Sequence, residues 1–216
     1  EIYTLSLHDA LPILALNPFT IKYLAYLLCG NTKPESIAKV LVYPRVLGTS
    51  INTGFGTRLQ FFISKVKDIA SIGSSIEGID IEFIDAVDGR KKYCQCKAGP
   101  NTINKEDVHP ILEYFKKIRQ TARTNGEYIF EDDIIVGVFY GTSEDLNYHY
   151  KTIKTTYPVY VGTEFWERLT GDKDFYYKLI KVFSDMVESG KIRKGKRVIK
   201  EAIQRIAKEI EERGIM

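Results

Sequence analysis

Asp80, Glu82, Gln95 and Lys97 are the side chains in this sequence whose types and spacing could do chemistry together. They lie in Gly78–Lys105, GIDIEFIDAVDGRKKYCQCKAGPNTINK. That stretch reads as two β-strands, Ile79–Ala86 and Lys91–Ala98, joined at Asp88-Gly89, a dipeptide that tolerates the positive φ angles of a two-residue hairpin loop. Side chains alternate along a strand, so Ile79, Ile81 and Phe83 share one face and Asp80, Glu82 and Ile84 the other. On the second strand Cys94 and Cys96 oppose Gln95 and Lys97. With Asp88-Gly89 as the loop, Glu82 is expected opposite Gln95, and Asp80 opposite Lys97.

Asp80 is a hard oxygen ligand suited to Mg²⁺, which prefers one or two carboxylates plus water and substrate phosphate. Lys97 is a cation placed to orient or deprotonate a metal-bound water, or to balance charge on a phosphate in the transition state. A carboxylate, a carbonyl and a lysine around a metal suit phosphodiester hydrolysis. The same residue types also make a cross-strand Asp80–Lys97 ion pair on a solvated sheet face. Residue types alone leave both readings open.

The surrounding elements are legible from periodicity and caps. Asn17-Pro18 starts a helix that ends near Gly30, and Thr32 and Glu35 have capping-box spacing for a second one closed by Pro44. An amphipathic helix is expected over Thr57–Ile69, with Leu59, Phe62, Ile63, Val66 and Ile69 on its apolar side and Gln60 near its start. After the hairpin, Asn104 or Asp107 caps a helix to about Thr124 that buries Ile111, Leu112, Phe115, Ile118 and Ala122. Ile134–Tyr140 is a continuous apolar run suited to a buried central strand, with Asp132-Asp133 at its start. Pro158–Val161 is a short strand, and helices follow from Glu164 and after Asp172. Lys191–Lys200 carries six basic residues and no acids, ahead of an amphipathic helix with Ile199, Ala202, Ile203, Ile206 and Ile210. That stripe must pack on its own domain or on a partner. This order indicates an α/β domain, a mixed β-sheet flanked by helices.

At 216 residues and 44% hydrophobic content the chain suits one core-forming domain with a small appendage. A net charge of +3 is too small to argue for a nucleic-acid partner by itself. Three cysteines without metal-ligand spacing fit small buried residues in a reducing cytoplasm. No stretch is long and apolar enough to span a membrane. Leu5–Ile13, LSLHDALPI, resembles a translated sequencing adapter, so residues 1–14 are expected to be a non-native leader. Residues 15–190 then form the main domain, and residues 191–216 a basic linker with a C-terminal amphipathic helix.

Asp80, fourteen intervening residues, then Gln95-Cys96-Lys97 resembles the PD-(D/E)XK nuclease core. The wider text is similar to the MjaII/TdeIII family of type II restriction endonucleases: GIDIEFIDAVDGRKKYCQCKAGPNTINKEDV, then IIVGVFYGT and VYVGTEFWERLTGDKDFYYKLI. The resemblance covers roughly residues 17–186. It implies Mg²⁺-dependent hydrolysis of double-stranded DNA at the palindrome GGNCC by a homodimer, paired functionally with a DNA methyltransferase. It implies Asp80 as the metal-binding aspartate and Lys97 as the catalytic lysine. Gln95 stands where many such nucleases carry Glu or Asp, and an amide oxygen is a neutral, weaker Mg²⁺ ligand. Some relatives draw an acid from the preceding helix, where Gln60 stands here. Metal binding would then lean on Asp80, Glu82 and the Cys96 carbonyl. Asn101, Asn104 and Lys105 would approach the DNA backbone or a groove edge, with a turn role for Gly99-Pro100-Asn101 as the alternative. Two further readings share the scaffold: a non-catalytic DNA-binding module, motivated by Gln95 and Gln60, and a nuclease of the same superfamily acting in repair or on branched DNA.

Overall fold

A computed structural model describes residues 17–46, 56, 59, 61–63, 71–189, 193–212 and 214. The chain divides into two compact units, Glu1–Gly54 with Phe183–Met216, and Phe55–Val182. This division differs from the one expected at residue 190. The leader assigned to residues 1–14 and the Gln60 position lie outside the described residues.

Unit Phe55–Val182 is built on a five-stranded mixed sheet in the order β1-β2-β3-β4-β5: β1 Ser71–Gly73, β2 Ile81–Ile84, β3 Lys91–Lys97, β4 Ile134–Val138 and β5 Val159–Val161. β1, β2 and β3 pair antiparallel, while β3, β4 and β5 pair parallel. The parallel pairs require crossovers. Helix α3 (Lys105–Thr124) makes the first and α4 (Tyr148–Lys154) the second. β4 is buried along its whole length, as its apolar run predicts for a central strand. Ile134, Val136 and Val138 join Ile111, Phe115 and Ile118 of α3 in one core, whereas Ile135 joins Phe83, Cys94, Phe165 and Trp166 in the other. Period-two alternation thus feeds two cores on opposite faces of one sheet, the flanked mixed sheet expected from the element order. Helix α5 (Thr163–Thr170) lies over the second core through Phe165, Trp166 and Leu169. Residues 56, 59 and 61–63 are helical, and Leu59 and Ile63 pack there too. Phe62, expected on the apolar side, is 38% exposed.

The other unit gathers both ends of the chain. Helix α1 (Pro18–Cys29) is capped by the Asn17 side chain, which accepts from Phe19 N–H at 3.0 Å, and it stops at Gly30 with φ 70°. Helix α2 (Pro34–Arg45) runs through Pro44 instead of closing there, and Lys33 at its cap makes no side-chain capping bond, so the expected capping box does not form. Helix α6 (Phe175–Glu188) spans the boundary between the units, and Arg193–Glu212 forms helix α7. Most of the expected basic linker is therefore helix. Ala202, Ile203, Ile206 and Ile210 are buried with Ala25, Ile37, Ala38 and Val42. The apolar stripe of α7 packs within its own unit, which answers the question its sequence left open. Among the described residues no helix is long and apolar enough to cross a membrane.

Candidate nuclease site

The hairpin forms, but in a register two residues from the expected one. Ile81 pairs Cys94, Glu82 pairs Tyr93, Phe83 pairs Lys92 and Ile84 pairs Lys91. Glu82 therefore does not face Gln95, and Asp80 does not face Lys97; the ladder ends at Ile81 opposite Cys94, and the Asp80 N–H also donates to Cys94 O. The cause is the turn. Asp85 accepts from Val87 N–H at 2.8 Å through its side chain and from Gly89 N–H at 2.8 Å through its carbonyl, and its own N–H donates to Arg90 O at 2.9 Å. Residues 86–89 become the loop, with Gly89 at φ 71° supplying the left-handed position. The Asp85 side chain is fully buried and bonds Arg168 of α5 at 2.8 Å, while Ala86 N–H donates to the Arg168 carbonyl at 2.8 Å. A second correction concerns Ile79, which joins the α3 core instead of the face of Ile81 and Phe83.

Asp80 precedes β2. Its N–H donates to Cys94 O at 3.0 Å and its Oδ2 accepts from Cys96 N–H at 2.6 Å, so the carboxylate is clamped against the middle of β3. Burial raises its pKa above the ordinary aspartate value, against the opposing pull of the Cys96 N–H and the Lys97 charge. An acid whose folded pKa is raised stabilises the fold in its protonated form, and that contribution fades as pH rises through the folded pKa. Asp80→Asn should therefore raise the melting temperature at pH 7, with the gain vanishing below about pH 4; melting curves of both proteins across pH check this.

Lys97 ends β3, paired with Val138, and among the described residues its side chain makes no hydrogen bond or ion pair. Gln95 lies on the same strand face, and its Oε1 is buried with no hydrogen-bond partner among the described residues. A buried amide oxygen left unpaired is costly, so it marks a place where a ligand would be accommodated. Glu82 is drawn elsewhere. Its Oε1 accepts from Ser74 Oγ at 2.7 Å and its Oε2 meets Lys91 Nζ at 2.7 Å. Burial pushes its pKa up, but the Lys91 ammonium and the Ser74 hydroxyl outweigh this and hold it below the ordinary glutamate value. The Cys94 and Cys96 sulfurs are 3.9 Å apart and buried; their contact and burial push the Cys96 thiol well up, so only the Cys96 backbone carbonyl is a plausible ligand. Among the described residues no group of three or more His, Cys, Asp and Glu is placed to hold a metal.

Beyond Lys97, the loop carrying the expected DNA contacts is pinned from below. Tyr150 donates its hydroxyl to Gly99 O at 3.0 Å and meets Thr102 Oγ1 at 3.0 Å. Asn147 donates its side-chain amide to Ile103 O at 2.9 Å and its N–H to Pro100 O at 3.1 Å. Neither residue was singled out from the sequence; Asn147 carried only the signal of a helix cap, which it also is. A Cβ at Gly99 would lie 2.4 Å from the outer end of the Tyr140 ring, so the ring lies close over this glycine. Asn101 and Lys105 are exposed. Asn104 caps α3: its Oδ1 accepts from Glu106 N–H at 2.7 Å and Asp107 N–H at 3.2 Å, and its own N–H donates to Asp107 Oδ2 at 2.7 Å. Its side-chain oxygen is thus committed to the helix. Asp133, at the start of β4, is held by Lys92 at 3.0 Å and Arg90 at 3.3 Å, an ion cluster at the opposite end of β3 from Lys97.

A family model described as Type II restriction endonuclease EcoO109I matches residues 17–190. No curated protein matches the chain.

Proposed function

The chain belongs to the EcoO109I family of type II restriction endonucleases, and we propose that Asp80, Gln95 and Lys97 form its cleavage centre. Its activity is that of a site-specific deoxyribonuclease, with DNA as substrate. The match names EcoO109I; assignment to MjaII/TdeIII, and the site GGNCC implied by that resemblance, stand as proposals.

The observation that carries the site is the convergence of the clamped Asp80 carboxylate, the unpaired Gln95 Oε1 and the partnerless Lys97 on one stretch of β3. Asp80, Gln95 Oε1 and the Cys96 carbonyl are oxygen donors of the kind Mg²⁺ takes, and the orphaned amide oxygen fits a ligand role. Mg²⁺, when bound, polarises the scissile phosphate and lowers the pKa of water. Asp80 keeps Oδ1 for that purpose, because Oδ2 is held by Cys96 N–H. Lys97 would orient the attacking water; having lost its own proton to solvent, its amine would take the proton of the water, and the ammonium so re-formed would balance the charge growing on the phosphate. Glu82, with both oxygens bonded to Ser74 and Lys91, is set aside as a metal ligand. Asn101 and Lys105 are proposed phosphate contacts, and Asn104 acts chiefly by starting α3 between them. The enzyme would work in the cytoplasm beside a methyltransferase that protects the host's own sites.

Reading a palindrome calls for two-fold symmetry, and a homodimer is proposed on that ground. The outer face of α1 favours it: Phe19, Tyr23, Tyr26 and Leu27 lie on one stripe and are each 62–86% exposed. At about 150–250 Å² per aromatic side chain, two such stripes would bury on the order of 1,300 Å², within the range of a specific interface. Sedimentation equilibrium should show a dimer for the wild type and a monomer for Phe19→Lys/Tyr26→Glu with an unchanged circular dichroism spectrum. A wild-type monomer would remove this reading.

Gln95 in place of an acid favours one alternative, a duplex-binding module that does not cut. Incubation with plasmid and phage DNA plus Mg²⁺ separates them. Discrete fragments support the nuclease; salt-dependent binding without cleavage in any divalent metal supports the module.

A further inference from the structure

We propose that Tyr140 is a duplex-contact residue, its hydroxyl donating to a phosphate oxygen of the strand that runs through the cleavage centre. The inference rests on the cleavage-centre reading above and adds a contact to it. Tyr140 follows β4, where Val138 pairs with Lys97 and the Phe139 N–H donates to the Lys97 carbonyl at 3.0 Å. Phe139 turns into the core of Phe165 and Trp166. Its neighbour therefore leaves on the other face, that of Val138 and, across the ladder, of Gln95 and Lys97. The phenol tip comes to rest over Gly99, two residues beyond Lys97: a Cβ there would lie 2.4 Å from Tyr140 Cζ and Oη.

Packing among the described residues does not account for this placement. The side chain is 47% exposed, so it adds little to the core. Its hydroxyl makes no hydrogen bond or ion pair among the described residues. Tyr150 offers the contrast: it is fully buried, and its hydroxyl is spent on Gly99 O and Thr102 Oγ1, each at 3.0 Å. One tyrosine holds the loop from within the core, and the other lies over it with a donor to spare. Tyr140 also stands at the carboxyl ends of the parallel strands β3 and β4, the edge at which open α/β sheets bind their ligands. Gly99 and Lys97 are at most about 7 Å apart along the chain, and each strand of a duplex carries a phosphate about every 3.4 Å of its axis. A strand with its reacting phosphate at Lys97 therefore brings another phosphate past the phenol. Tyrosine hydroxyls are among the donors that fix a protein on the phosphate backbone. A phenol makes that bond without a charge, so it displaces no counterion, unlike a lysine such as Lys105.

Fluorescence anisotropy in Ca²⁺ tests this without reading cleavage, on a labelled duplex that the wild type is first shown to bind. Tyr140→Phe removes only the hydroxyl. It should weaken binding by about tenfold or more, the usual worth of a hydrogen bond to a charged group, at every salt concentration. The slope of log affinity against log salt should not change, whereas loss of a lysine contact flattens it by about one. Neutral methylphosphonates, placed one at a time along the duplex, locate the contact: at one position the substitution should cost the wild type affinity and the Tyr140→Phe protein markedly less. Gly99→Ala, which pushes the ring aside, should reproduce the loss, and Tyr140→Phe should not deepen it. Affinity of Tyr140→Phe within twofold of wild type, a flattened slope, or equal sensitivity of the two proteins to every methylphosphonate would overturn the proposal. Such a failure, with cleavage still abolished by Lys97→Ala, would leave the cleavage centre standing; full cleavage by Lys97→Ala would remove the centre and this contact with it.

Discussion

Lys97→Ala is expected to lower the single-turnover cleavage rate by roughly 10²–10⁴-fold, the range for removal of a positioned acid–base group, while the fold is unaffected. The side chain makes no hydrogen bond or ion pair among the described residues, so little native-state bonding is lost with it. Its backbone stays in the ladder opposite Val138, and its carbonyl still accepts from Phe139 N–H at 3.0 Å. Duplex affinity measured in Ca²⁺ should fall far less than the rate, because one cation among many phosphate contacts is removed. Lys97→Arg should not rescue the rate. A guanidinium keeps the charge but cannot exchange a proton near neutral pH. Cleavage within tenfold of wild type for Lys97→Ala would exclude the proposed role.

Asp85→Ala should destabilise the chain by about 3–5 kcal/mol, the usual consequence of removing one partner from a buried ion pair. The Asp85 side chain is completely buried, and its Arg168 partner is only 18% exposed and stacked over Tyr160 at 4.0 Å. Alanine would leave that guanidinium only its longer contact with Glu164 at 3.6 Å and release Val87 N–H as well. Asp85→Asn keeps an acceptor for Val87 and should cost less. Urea denaturation of the three proteins measures the difference. Cleavage should fall by more than the unfolded fraction explains, because the Asp85 turn sets the register that holds the Asp80 carboxylate on Cys96 N–H. A loss under 1 kcal/mol, with full activity, would mean the turn holds its register by other means.

The sequence by itself determined a good deal. Alternation assigned Ile81 and Phe83 to one face and Glu82 to the other, and within β2 the structure keeps that division; it breaks ahead of the strand, where Ile79 joins the opposite core. Caps placed α1 at Asn17 and α3 at Asn104, and the apolar run placed β4 at the centre. Residue types and spacing put Asp80 and Lys97 forward but left a solvated ion pair equally open; the family resemblance implied their roles and marked Gln95 as the departure from its pattern. Tertiary structure decided the rest. The hairpin register differs from the expected one by two residues, and strand side chains repeat every two, so either register satisfies the same hydrophobic pattern. The Asp85 turn distinguishes them, and its buried side chain is anchored by Arg168, 83 residues away in the chain. That shift moves Glu82 from Gln95 to Tyr93, beside Lys91 and Ser74, and leaves the amide oxygen of Gln95 without a partner. The partner of α7 and the hold of Tyr150 on the Gly99 loop were likewise invisible, since both depend on elements that meet only in the folded chain.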